Sequence, residues 1–149
     1  VINGKDGSVA YRDSLGCTAF SSPVVYDLDH DGRDEVILSI NEFDCERGFV
    51  NQQSNQIANK LIALEIGSRT VRTIDQLQNF KNIFTTPWIG DLDQDGYLDV
   101  VHCQYYNPMS DPLIFLGMRI KRISLPVRVK KPPLWGGYMG SQGDGIFPL

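Results

Sequence analysis

Short runs rich in Val, Ile, Leu and Tyr punctuate this chain, separated by Gly, Asn, Asp and Pro, and no stretch repeats at helical spacing. The pattern predicts strands over Pro23–Tyr26, Val36–Asn41, Lys60–Ile66 and Thr70–Asp75, with Gly67-Ser68 turning the last pair. A second set follows at Pro87–Gly90, Val100–Gln104, Leu113–Leu116 and within Arg119–Val129. Ahead of both, Asn3-Gly4-Lys5-Asp6-Gly7 has turn chemistry, and Ser8–Asp13 alternates like the second half of a hairpin.

The two sets are copies. Ser22–Ile37 and Thr86–Val101 superpose without a gap at an offset of 64 residues, and Ser8–Leu15 matches Thr70–Leu77 at an offset of 62. The second period is shorter because the polar, Asn- and Gln-rich Glu42–Ala58 gives way to Tyr105–Asp111. Four short strands per repeat predict an all-β fold built from β-propeller blades. The rival architecture is a β-sandwich with an internal duplication. Two four-stranded blades plus a leading half-hairpin cannot close a ring, which needs at least four. The expectation is therefore part of a larger propeller, its remaining blades supplied by the same polypeptide or by other chains. The expected divisions are 1–22, trailing strands of a preceding blade; 23–85 and 86–131, one blade each; and 132–149, a glycine- and aromatic-rich tail.

Each copy carries one acidic loop. Acids stand at loop positions 1, 3, 5 and 9, namely Asp27, Asp29, Asp31 and Glu35, then Asp91, Asp93, Asp95 and Asp99, with Gly32 and Gly96 at position 6. A hard dication takes six to eight oxygens at about 2.3–2.6 Å, and alternate residues of a tight loop can turn their carboxylates towards one point. Glycine at position 6 allows the sharp turn. An EF-hand closes with Glu at position 12, where this chain has Leu38 and His102, and the β-branched flanks favour strands. Two strand–loop–strand calcium sites are expected. The plainer alternative is a solvated acidic turn, but four carboxylates in one loop repel each other unless a cation sits among them.

Charge changes meaning in this light. Of 18 acidic residues, nine lie in the two loops, the eight named above and Asp34, so the 14 basic residues outnumber the acids elsewhere and the formal net charge of −4 is local. No nucleic-acid partner follows from it. No apolar run approaches 18 residues, so no helical membrane span is expected. The given stretch carries no signal-peptide pattern and does not open on Met, and Val1-Ile2-Asn3-Gly4 reads like the middle of a strand and turn. Cys17, Cys45 and Cys103 form no C-x-x-C pair. Either Cys17–Cys45 is a bridge with Cys103 a buried thiol, or all three are reduced.

Between Arg119 and Lys131 lie six basic residues and no acid, which reads as a strand with a charged outer face, or alternatively as an anion patch. The tail carries Trp135, Tyr138 and Phe147, expected to dock on the propeller edge or on a partner. The two histidines have no nucleophile or second metal ligand placed by a motif: His30 reads as a solvated loop residue and His102 as a strand-face residue.

The D-x-D-x-D-G-x-x-[DE] loops, each preceded by Ser-Pro or Thr-Pro and a short strand, resemble the FG-GAP and VCBS repeats of integrin-α-type β-propellers. Asn3–Val9 and Leu64–Gly67 also resemble PQQ-like blades of that broad group. The resemblance implies a largely structural calcium ion in each hairpin loop, held by Asp27, Asp29, Asp31 and Glu35 and by Asp91, Asp93, Asp95 and Asp99, with backbone oxygen from Arg33 and Tyr97. The chain departs from the pattern by having Glu at position 35 and no Phe-Gly or Gly-Ala-Pro signature. The function implied is an extracellular or cell-surface scaffold that is not an enzyme and binds a protein or glycan. The alternatives are part of a propeller enzyme, of quinoprotein dehydrogenase or polysaccharide-degrading type, and a subunit of a large assembly.

Overall fold

The computed structural model describes residues 1–16, 21–42, 57–108 and 115–146. Its regular structure is all strand: β1 (Val24–Tyr26), β2 (Glu35–Glu42), β3 (Ala58–Glu65), β4 (Thr70–Gln78), β5 (Phe80–Lys81), β6 (Trp88–Gly90), β7 (Tyr97–Tyr106) and β8 (Gly117–Arg128). These form two four-stranded antiparallel sheets. Among the described residues no helix is long and apolar enough to cross a membrane, which says nothing of crossing by strands.

The first sheet is a meander, β1-β2-β3-β4, with the strands expected from the sequence. The second departs from expectation. β8 pairs directly with β7 along most of its length and so takes the place expected for Leu113–Leu116. Phe115 and Leu116 lie outside any strand, and residues 113 and 114 fall outside the described residues. The fourth member is β5, which the sequence did not announce. β6 pairs only with Asp99–Val101, leaving the far end of that edge of β7 open, and Phe80–Lys81 pairs there with Tyr105–Tyr106. At the N-terminus the Asn3–Gly7 turn forms, with Asn3 N donating to Ser8 O and Gly7 N to Asn3 O, each 2.8 Å. The strand expected over Ser8–Asp13 reduces to one isolated bridge, Ile2 to Val9.

The sheets share one core. Val24, Tyr26, Ile37, Leu61 and Ala63 from the first meet Ile89, Leu98, Val100 and Val127 from the second. Burying each large apolar side chain stabilises by roughly 1.5–3 kcal/mol. Towards one end the contact becomes polar and fully buried: Gln104 Nε2 donates to Asn59 Oδ1 (2.9 Å), and Asn41 Nδ2 donates to Asn82 O (2.8 Å).

Strand parity defines which faces meet. Val24, Ile37 and Ala63 share one face of the first sheet through their cross-strand register. The repeat offset of 64 carries Val24 and Ile37 to Trp88 and Val101, yet the second sheet contributes the opposite face, Ile89, Val100 and Ile123. The repeats therefore pack front to back. Matched residues also lie side by side where each repeat begins: Ser21 Oγ donates to Thr85 O (2.8 Å) and Ser22 N to Thr86 Oγ1 (3.3 Å). The back of the first sheet is apolar too, with Ile40, Ile62 and Leu64 buried. On the β4 side of that face Val71, paired with Leu64, is 40% exposed.

The tail crosses both sheets. Val25 N donates to Trp135 O (3.0 Å) and Ile89 N to Gly136 O (2.7 Å), so consecutive carbonyls serve equivalent positions of β1 and β6. The Trp135 backbone thus meets the edge of β1, whereas Tyr138 is 69% exposed. Phe147 lies outside the described residues, as do Cys17 and Cys45 with their candidate bridge. Cys103 is a free thiol, partly buried on β7.

Candidate metal centres

Each acidic loop joins a three-residue strand to a long one, and the two loops have the same backbone. Position 4 is left-handed in both (His30 φ 65°, Gln94 φ 61°), as is the glycine at position 6 (Gly32 φ 89°, Gly96 φ 83°). A Cβ on Gly32 or Gly96 would meet nothing within 4 Å, so glycine is there for the dihedral and not for space. His30, read from the sequence as a solvated residue, owes its place to this turn. The hydrogen-bond frames repeat except at position 5, where Asp31 N donates to Asp29 Oδ1 (3.1 Å) but Asp95 N donates to Asp91 Oδ1 (3.0 Å). Asp27 Oδ2 accepts from Gly32 N (3.0 Å) and Asp91 Oδ2 from Gly96 N (2.9 Å). Glu35 Oε2 accepts from Leu28 N (2.6 Å) and Asp99 Oδ2 from Leu92 N (3.0 Å). Asp31 Oδ1 and Asp95 Oδ1 brace Arg33 N and Tyr97 N, each at 2.8 Å.

Ligand atoms of Asp27, Asp29 and Glu35 lie within 4.8 Å of one another, and so do those of Asp91, Asp93 and Asp99. Either group could hold a metal ion. Asp31 and Asp95 stand outside the groups, and Arg33 and Tyr97 flank them.

The first group has a marked electrostatic deficit. Asp27 and Glu35 are 8% and 6% exposed, and Asp27 Oδ1 and Glu35 Oε1 have no hydrogen-bond partner. Burial pushes the Glu35 carboxyl above its ordinary value; the Leu28 N–H opposes this, and Asp29, Asp27 and Asp31 add to it. Buried carboxylate oxygens without a donor are costly, and a cation among them removes that cost. A cavity of about 100 Å³ opens beside them, lined by Leu28, Asp29, Glu35, Ala63 and Arg72 among others.

In the second group a side chain answers the charge. Arg122, on β8, sets its Nε 2.8 Å from Asp99 Oδ1 and its Nη2 against Asp93 Oδ2. The Asp99 contact is ionic and not a well-aligned hydrogen bond. Asp93 is held below its ordinary value, first by its bond to Arg122, and Arg122 is raised by Asp99 and then Asp93.

Sequence reasoning did not find Arg122's role, because only the β7–β8 register brings it over the loop. Other basic residues of that segment are also individually engaged: Lys121 pairs with Asp75, Arg128 lies 5.0 Å from the Tyr97 ring centre and Lys131 lies 3.8 Å from Asp34. Also unforeseen was the pairing of His102 Nε2 with Asp75 Oδ2 at 3.2 Å between the sheets. No family model, curated protein or solved structure matches the chain.

Proposed function

We propose that both acidic loops are calcium sites of FG-GAP/VCBS type, and that the two sheets are consecutive blades of a β-propeller serving as an extracellular scaffold for a protein or glycan ligand. The observation that carries this reading is the pair of buried, donorless oxygens, Asp27 Oδ1 and Glu35 Oε1, on two members of one acidic group. Oxygen-only donors suit a hard cation such as calcium better than a soft one. The ion would be held by Asp27, Asp29 and Glu35, and in the second loop by Asp91, Asp93 and Asp99, with Asp31, Asp95 and the carbonyls of Arg33 and Tyr97 close by. Its chemistry is charge neutralisation: bound, it ties the end of β1 to the start of β2 and lets the corner carry buried carboxylates.

Front-to-back packing supports blades over a duplicated sandwich. A two-fold sandwich would bring equivalent faces together, whereas a front-to-back contact repeats and closes into a ring when the rotation allows. The outward front of the second sheet, with Trp88 39%, Met118 58% and Ile120 62% exposed, has the character of a face made for another layer. The scaffold reading extends the same logic, because metal-pinned corners on a stacked sheet hold the intervening loops in fixed relation.

The test is thermal unfolding in calcium and in chelator. A saturating ion at a hundred times its Kd adds about 2.7 kcal/mol, which raises Tm by roughly 5–15 °C for a chain of this size. Asp27→Asn should lose most of that gain while still folding. Identical melting curves in calcium and chelator would overturn the reading.

A further inference from the structure

We propose that Arg122 is a built-in counter-cation of the second loop, so that the two loops are unequal calcium sites: the first takes the ion freely, the second only against the competing guanidinium. This rests on the calcium reading of the loops given above.

The comparison is between equivalent atoms. Glu35 and Asp99 occupy the same loop position, and each gives one oxygen to the backbone two residues beyond β1 or β6, at Leu28 N or Leu92 N. The other oxygen differs in surroundings. Neither Glu35 Oε1 nor Asp99 Oδ1 accepts a hydrogen bond, but Asp99 Oδ1 has an ionic partner, Arg122 Nε at 2.8 Å. The sheet register explains the difference. Ile37 pairs with Ala63, and its equivalent, Val101, pairs with Arg122. In the first repeat the Ala63 methyl lines the cavity beside Glu35; Arg72 lines that cavity too but is not among the groups that shift Glu35, whereas in the second repeat the Arg122 guanidinium contacts the loop acids directly.

Arg122 also reaches Asp93, so it bridges two of the three carboxylates in the second group. A guanidinium stays charged at any working pH and spans two carboxylates with its fixed fork. It competes without blocking, because the Asp99 contact is poorly aligned and the Arg122 side chain is 37% exposed, free to swing outward. The consequence is ordered filling, first loop before second, with the residue on β8 setting the gap between the two affinities.

Calorimetric titration of the whole chain with calcium chloride tests this. The wild type is expected to show a tight and a weaker class of site. Asp27→Asn should remove the tight class, assigning it to the first loop. Arg122→Gln should tighten the weaker class by roughly tenfold or more, as expected for losing a charge-assisted bond to Asp93 and an ion pair to Asp99, and leave the tight class in place. Arg122→Lys, which keeps the charge but loses the fork, should tighten it less, and it guards against a Gln variant that fails to fold. Weaker-class affinity unchanged within about twofold in whichever variants fold overturns the role of Arg122 while the calcium sites stand. Absence of calcium binding in wild type and variants alike overturns the calcium reading itself.

Discussion

His102 is sealed between the sheets, its side chain 1% exposed, and the groups that face it come from two strands: Asp75 on β4 and Lys121 and Arg119 on β8. Burial holds its imidazole below the ordinary value; Asp75 opposes, while Lys121 and Arg119 push the same way as burial. The folded protein therefore binds this proton more weakly than the unfolded chain, whose histidine titrates near about 6.5. Stability from this residue is fully present above that pH and is lost as pH falls below it towards the folded value. We expect the urea midpoint to drop as pH is lowered from 7 to about 5, and His102→Gln to flatten that drop. Equal slopes in the two proteins would contradict the assignment. Glu35 shifts the opposite way in the absence of metal, so the comparison between wild type and variant, not the wild-type curve alone, isolates His102.

At the scale of elements, the tail acts as a clasp over two edge strands. Gly136 makes this contact possible, since a Cβ there would lie 2.8 Å from Ile89 O and 3.0 Å from the Pro133 side chain. Backbone has nowhere to move at such a crossing. Gly136→Ala is expected to cost about 1–3 kcal/mol, measured by urea unfolding. Gly117→Ala, at a strand end with nothing within 4 Å of its Cβ, should fall within about 0.5 kcal/mol of wild type. Equal effects of the two changes would count against the clasp. The strands of the first sheet and both acidic loops were legible in the sequence because each carries local signals: alternation, a β-branched flank and a glycine at a left-handed turn. β5 was not, since two residues have no periodicity and are strand only because β7 outruns β6. Nor was Arg122, whose meaning depends on a cross-strand register interrupted between Tyr97 and Asp99.

For the whole molecule, what the sequence conveyed was a repeat; what it could not convey was which face of one copy meets which face of the next. That depends on side chains of both sheets at once, as where Leu98, with no apolar counterpart at Asp34, fills the shared core at 0% exposure. The offset of 64 survives in space as matched hydrogen bonds, matched loop dihedrals and a tail that touches equivalent strands in succession. Both acidic corners belong to this shared frame, so an ion at either one would brace the packed pair of sheets as well as its own loop. The most direct measurement is an anomalous difference map from crystals grown in calcium. The account predicts a peak among Asp27, Asp29 and Glu35, with Asp27 Oδ1 and Glu35 Oε1 about 2.3–2.6 Å away. A map without that peak, in which both oxygens take hydrogen bonds from water or a neighbouring side chain, would contradict it.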